Sequence, residues 1–350
     1  MNEGFRRVIA ASAQDRRDLF LAAARRLGTP LQNVEKDFWV CWALDLLFNG
    51  RAADEPRLLF KGGTSLSKAH GLISRFSEDI DITVFREDIG ENVEARDLET
   101  LSGKQQRLRL ARIRQACCLY IQGPLRTRLQ NQIETLFREI GLPGDNVLIL
   151  DPDDADRQTL LIRYPPVADT DDYLRPTIKI EAGARSALDP HHVVDIRPYV
   201  ADDLPEMNLT VPNVRAIDAE RTFWDKVVIL HGLRRWFDHR GALRHQGHRV
   251  SRHYYDVCMM FRSPPGERAA RDRVLAADCV RHARMFFNSA DLDLASACPG
   301  SFALTPTPEM AAALKSDYRA MAGMIFGAAP DFSAVLDAVE RLEQTVNQQN

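Results

Sequence analysis

The chain has 350 residues, 45% hydrophobic and 27% charged, the ordinary composition of a folded protein with room for one large domain or two. Its formal net charge of -3 conceals local runs of either sign, so charge bears on partners segment by segment, and no apolar run reaches the ~20 residues of a membrane span or forms a signal peptide, which makes the cytoplasm the expected location. The six cysteines, at 41, 117, 118, 258, 279 and 298, contain no CxxC pair and only one adjacent couple, so neither a zinc knuckle nor a disulfide framework is indicated and a reducing compartment is the default.

Residues 13 to 50 read as helices: Leu19, Phe20, Ala23 and Leu27 recur at helical spacing, and Val34 to Phe48 carries a second apolar stripe behind Asn33 as a cap. Leu58 to Phe60 is a short apolar run ending in Gly62 and Gly63, Thr64 to Leu72 is helix-like, and Asp79 to Phe85 alternates strictly, giving strand, turn, helix, strand. Lys104 to Arg128 holds seven Lys or Arg and no acid. Asp145 to Asp172, with Asp151, Asp153, Asp154 and Asp156, reads as a connector around one apolar strand, Leu160 to Ile162. Thr177 to Glu181 alternates again and stops at Gly183. After Pro212 the pattern turns helical, first at Asp218 to Phe237 and then at Ser251 to Phe261, so a boundary is placed near residue 213. The polar tail from Val346 to Asn350 is expected to fray.

On a strand, side chains two apart share a face, so Asp79, Asp81 and Thr83 point one way and Ile80, Ile82 and Val84 point into a core. Two neighbouring carboxylates repel, and a divalent cation bound by hard oxygen ligands relieves that; an acidic face on an edge strand fits the same pattern. The upstream turn adds weight to the first reading. At Gly62 and Gly63 bare backbone can approach phosphate, Thr64 or Ser65 can offer a hydroxyl, and Lys61 or Lys68 a positive charge. A tight turn would also account for the glycines. A Walker A loop is excluded, because no GxxxxGK[ST] occurs. Glu181 shares its strand face with Thr177 and Lys179, and three acids from two strands suit two magnesium ions roughly 4 Å apart. An exposed strand-end glutamate is the other reading.

In the helix from Asp218, Lys226 has Phe223, Ile229 and Leu230 as its neighbours, an apolar setting where an ammonium either snorkels out or finds an anion. Asp256 follows Arg252 by four and His253 by three, the spacing of a local ion pair. Between Arg234 and Arg252 there are six arginines against one acid, and five histidines lie from His231 to His253. This patch and the Lys104 to Arg128 stretch suit either nucleic-acid phosphates or a solvated face, and Trp236, Phe237, Tyr254 and Tyr255 suit either base stacking or core.

The runs Glu35 to Val40, Phe60 to Lys68, Arg75 to Asp81, Ile178 to Glu181, Glu220 to Lys226 and Ser251 to Asp256, in that order, resemble the AbiEii/AbiGii toxin family of nucleotidyltransferases within the polymerase-β superfamily. Fifteen residues separate Gly63 from Asp79, slightly more than in minimal nucleotidyltransferases. The resemblance implies an α+β fold: N-terminal helices and a mixed-sheet nucleotidyltransferase core in residues 1–212, and a helical domain in 213–350 completing the cleft. It also implies Mg2+-dependent transfer of NMP from an NTP to a hydroxyl, with tRNA a plausible acceptor, as the toxin of a type IV toxin-antitoxin or abortive-infection system with an AbiEi-like antitoxin. A protein hydroxyl as acceptor, or a non-catalytic nucleotide- or RNA-binding regulator, are the rival readings. Asp79, Asp81 and Glu181 are then expected metal ligands. Lys61, Gly62, Gly63, Thr64, Ser65, Lys68 and Lys226 are expected nucleotide contacts, with Lys226 neutralising the triphosphate, and Asp256 is expected near the acceptor as base or orienter.

Overall fold

The computed structural model describes residues 2–168, 176–247 and 249–348. The chain forms two compact units, each made of separate segments: Met1–Ala69, Phe76–Val93 and Arg107–Ile217 in the first, and His70–Arg75, Glu94–Gln106 and Asp218–Asn350 in the second. The second unit therefore takes two short pieces from inside the sequence of the first.

The chain opens with α1 (Glu3–Ala10), α2 (Ala13–Leu27) and α3 (Leu31–Phe48), then β1 (Leu58–Lys61), α4 (Gly62–Lys68) and β2 (Asp79–Val84). Helix α5 (Ala95–Glu99) and the start of α6 (Gly103–Tyr120) lie in the second unit's segment; α6 then runs through a π-helical turn containing Pro124 into α7 (Arg126–Glu139). Proline has no N–H to donate and its ring crowds the preceding turn, so the helical hydrogen bonding widens there. Strands β3 (Leu148–Leu150), β4 (Thr159–Arg163), β5 (Thr177–Gly183), β6 (His191–Ile196) and β7 (Val211–Ile217) complete the first unit.

The seven strands form one mixed sheet in the order β3-β4-β5-β2-β1-β7-β6. Strand β2 is in the middle, antiparallel to β1 and parallel to β5, so the acidic strand is not at an edge. Ile80, Ile82 and Val84 are fully buried as the alternation requires, and Thr83 is buried too. Helix α3 packs against β2, β5 and β7. Almost every residue from Asn33 to Leu47 is buried, as expected of a helix apolar around most of its circumference. Trp39 and Trp42 are fully enclosed, and Trp39 stacks on Tyr164 at 5.2 Å between ring centroids. Burying each such side chain is worth roughly 1.5–3 kcal/mol.

Several elements depart from the expected boundaries. Helix α4 stops at Lys68, short of Leu72, because the chain leaves for the second unit at His70 and turns at Gly71, whose φ is +62°. Helix α1, capped by the Asn2 side chain, has no counterpart in the sequence reading. The aspartate-rich stretch holds two strands, β3 and β4; the Asp154 side chain folds the turn before β4 by accepting from the backbone N–H of Asp156 and Gln158 and from Thr159 Oγ1. Asp172, at the end of that stretch, lies outside the described residues.

The second unit contains α5 and then α8 (Ala219–Arg240), α9 (Ser251–Phe261), α10 (Pro264–Ala269), α11 (Arg273–Phe286), α12 (Pro308–Met321) and α13 (Phe332–Asn347). Helix α9 packs against α8, α10, α12 and α13, which is why Tyr254 and Tyr255 are buried and belong to the core rather than to a base-stacking surface. The expected fraying does not reach Val346 or Asn347: Val346 is fully buried and the Asn347 side chain bonds backbone groups of Gly300 and Phe302. Gln349 and Asn350 lie outside the described residues, as does His248 of the histidine-rich patch. No helix among the described residues is long and apolar enough to cross a membrane.

Candidate active site

Strand register brings the acids of the first unit together. In the parallel pairing of β2 with β5, Asp79 is opposite Lys179 and Asp81 opposite Glu181, and on the other side Asp81 is opposite Lys61 of β1. Residues opposite each other in adjacent strands share a sheet face, so Lys61, Asp79, Asp81, Lys179 and Glu181 stand in one group at the centre of the sheet. Lys179 Nζ is 2.7 Å from Glu181 Oε1 and 3.7 Å from Asp151 Oδ2, and Lys61 Nζ is 3.7 Å from Asp81 Oδ1. Burial lowers and neighbouring carboxylates raise the Lys179 pKa; the carboxylates win, led by Glu181 and with Asp79 contributing, and the ammonium is held on.

The turn before α4 is shaped around Asp81. Gly62 has φ +78°, and a Cβ there would fall 2.0 Å from Asp81 Oδ2. The hydroxyls that follow are turned inward. Thr64 Oγ1 donates to the Asp79 carbonyl and lies 2.9 Å from Ser77 Oγ, tying α4 to the start of β2. Ser65, fully buried, donates to the Gly62 carbonyl at 3.0 Å and so holds the turn closed. Both hydroxyls expected to donate to phosphate are thus donating to backbone.

Lys68, expected among the phosphate contacts, is placed elsewhere. Its ammonium is 2.7 Å from Asp37 Oδ1 and 3.8 Å from the centre of the Tyr199 ring, with the side chain 5% exposed. It is a core ion pair joining α4 to α3. Two more buried charges of α3 act alike: Lys36 pairs with Glu78, immediately before Asp79, and Glu35 accepts from the backbone N–H of Val167 and Ala168. Charges this deep are tolerated only when paired and hydrogen-bonded. The run Glu35 to Val40 is therefore the brace behind the acidic strand.

The donors present suit a divalent cation in part. Asp79 and Asp81 offer hard oxygen atoms from one strand face, which fits magnesium. Glu181 is adjacent but held by Lys179, and no three His, Cys, Asp or Glu side chains among the described residues group closely enough for a metal. Glu181 joins the ligand set only by exchanging Lys179 for the metal.

In the second unit, Lys226 on α8 and Asp256 on α9 meet directly, Nζ to Oδ2 at 2.8 Å, rather than Asp256 pairing along its own helix with Arg252. A third partner was not foreseen. Arg75 grips Asp256 in two places, Nε to Oδ1 at 2.7 Å and Nη2 to Oδ2 at 2.8 Å. Burial works against ionisation of Asp256, but the charges and hydrogen bonds of Arg75 and Lys226 outweigh it and hold the carboxyl well below the usual carboxylate range. Burial pulls the Lys226 ammonium below the ordinary lysine value, opposed by Asp256 and reinforced by Arg75. His253 is held neutral by burial and by the nearby Lys226 and Arg252, and its Nδ1 has no hydrogen-bond partner.

Arg75 opens one of the runs that carry the family resemblance, Arg75 to Asp81, but nothing in that run pointed to Asp256 as its partner; the long interval between Gly63 and Asp79 is the other signal. That interval contains His70–Arg75, the segment belonging to the second unit. The basic patch after it is partly neutralised: Arg234 pairs with Asp238, Arg235 is near Asp293, and Arg240 pairs with Asp291. The guanidinium groups of Arg240 and Arg244 each lie over the Trp236 ring, 5.6 and 5.5 Å from its centre.

With these features in place, the chain compares with known proteins as follows. The family model described as nucleotidyl transferase AbiEii toxin, type IV toxin-antitoxin system, matches residues 45–341. No curated protein matches. Among solved structures the chain is similar to MenT4, a nucleotidyltransferase toxin from Mycobacterium tuberculosis H37Rv, with 14% identity, a TM-score of 0.49, and coverage of 95% of this chain and 90% of that one.

Proposed function

Since this chain belongs to the AbiEii family of nucleotidyltransferase toxins of type IV toxin-antitoxin systems, we propose that it transfers an NMP from an NTP to a hydroxyl of tRNA in a Mg2+-dependent reaction that releases pyrophosphate. The observation that carries this reading is the placement of Asp79 and Asp81 on the central strand, with Glu181 in register beside Asp81 and the Gly62 turn packed against it. Asp79 and Asp81 would hold the metal, and Glu181 would join the set by exchanging Lys179 for it. A bound magnesium supplies Lewis-acid polarisation of phosphate oxygens and lowers the pKa of a hydroxyl. Backbone at Gly62 and Gly63 makes room for phosphate and Lys61 adds charge on the same face, and in the second unit Lys226 is a contact for triphosphate charge. Thr64 and Ser65 act by shaping this turn, and Lys68 by anchoring α4. The site of action is the cytoplasm, where NTPs and tRNA meet, and the partner is an AbiEi-like antitoxin encoded nearby.

The test is incubation of purified protein with each labelled NTP and bulk tRNA, with Mg2+. Label in tRNA is the expected result, and label in protein would move the acceptor to a protein hydroxyl. No transfer to any RNA or protein, with NTP binding intact, refutes the transferase reading. On expression, Asp81→Ala should relieve growth inhibition; a variant that still arrests growth would favour a binding regulator.

A further inference from the structure

Asp256 has no oxygen to spare. Its Oδ1 is taken by Arg75 Nε at 2.7 Å, and its Oδ2 by both Arg75 Nη2 and Lys226 Nζ at 2.8 Å, with the carboxylate fully buried. A general base must bring a lone pair within hydrogen-bond reach of the proton it removes, and here both oxygens of a fully buried carboxylate are engaged by cations, which take three of its about four lone-pair positions. Arg75 is fixed in turn by backbone: the preceding Ser74 carbonyl accepts from Phe326 N at 2.7 Å, and Arg75 forms an antiparallel bridge with Ile325. The guanidinium thus approaches Asp256 from an anchored main chain, in the fork geometry that fixes direction as well as charge.

We propose that Arg75 and Asp256 are positioning residues that aim the Lys226 ammonium, and that Asp256 does not take the acceptor proton. This rests on the reading of Lys226 as a triphosphate contact. Asp256 faces two cations, Arg75 and Lys226, and Arg252 also bears on the ammonium, so a phosphate anion is the chemistry that suits Lys226 here. The titratable and charged groups around Lys226 are Asp256, Arg252 and His253 of α9, and Arg75. Other charges on α8 are engaged elsewhere: Arg221 with Asp225 and Asp278, and Glu220 with Arg268.

The two roles of Asp256 predict opposite pH profiles. If Asp256 positions Lys226, Asp256→Asn removes the anion that keeps the ammonium protonated, and the alkaline limb of kcat/KM for the NTP moves about one pH unit or more toward acid. If Asp256 is the base, the substitution abolishes the acidic limb and leaves the alkaline limb in place, which overturns the proposal. Arg75→Lys keeps the charge and loses the fork. It should melt close to the wild type and raise KM for the NTP about tenfold, a loss that a wholly structural arginine would not produce in a folded variant. This second variant decides the matter if Asp256→Asn does not fold: wild-type KM and kcat in Arg75→Lys overturn the proposal. A wild type that transfers no label refutes the enzymatic reading instead, and calorimetry with inorganic tripolyphosphate and Mg2+ then tests the positioning. About tenfold weaker binding by Arg75→Lys supports it, and unchanged binding overturns it.

Discussion

At Gly62 one hydrogen atom separates a working turn from a blocked one, because the space a methyl group would occupy is filled by the Asp81 carboxylate. Gly62→Ala should therefore displace Asp81 and strain a left-handed backbone, costing about 1–3 kcal/mol of stability in denaturant melts and about 100-fold in label transfer. Asp256 supplies a prediction about acid. An unfolded aspartate titrates near ~3.9, whereas the folded carboxyl is held lower by Arg75 and Lys226. Its contribution is thus complete above about pH 4 and is lost as pH falls through the folded value. The stability gap between wild type and Asp256→Asn should be constant near neutrality and narrow below about pH 4, as urea melts across pH would show. The two-residue period made the shared face of Asp79 and Asp81 legible, and likewise that of Lys179 and Glu181. What that period cannot carry is which hydroxyl or ammonium is already spent inside: Thr64, Ser65 and Lys68 look like phosphate ligands until their partners Asp79, Gly62 and Asp37 are known.

Helix α3 shows the same divide at the scale of an element. Its apolar stripe announced a helix, but three consecutive charges, Glu35, Lys36 and Asp37, are buried in it, each stabilised by a group distant in sequence: Val167, Glu78 and Lys68. No local pattern encodes such pairings. Helix α1, with eight residues, and β3, with three, escaped notice for another reason, since elements so short repeat their period too few times to stand out. The α3 to α4 brace can be tested directly. Lys68→Met leaves Asp37 buried without its cation and should cost about 3–5 kcal/mol in chemical denaturation, while pairing it with Asp37→Leu should recover most of that loss.

Over the whole molecule, the chain passes between its two units at 69/70, 75/76, 93/94, 106/107 and 217/218. A linear boundary near 213 falls inside β7, short of the change from strand to helix at 217/218, and composition cannot show that His70–Arg75 and Glu94–Gln106 are lent to the second unit. A fragment of residues 218–350 would contain Lys226 and Asp256 without Arg75, and should lack a cooperative melt by circular dichroism where the full chain has one. The seven-stranded sheet carries a last consequence through the place of β2 within it, with three strands on either side. Amide hydrogens exchange with solvent only when their bonds open, and a strand paired along both edges at the middle of a sheet opens last. In deuterated buffer the amides of Asp79 to Val84 should be among the slowest to take up deuterium. The carboxylates thus belong to the most durable part of the first unit, so their geometry should persist while helices at its margins loosen.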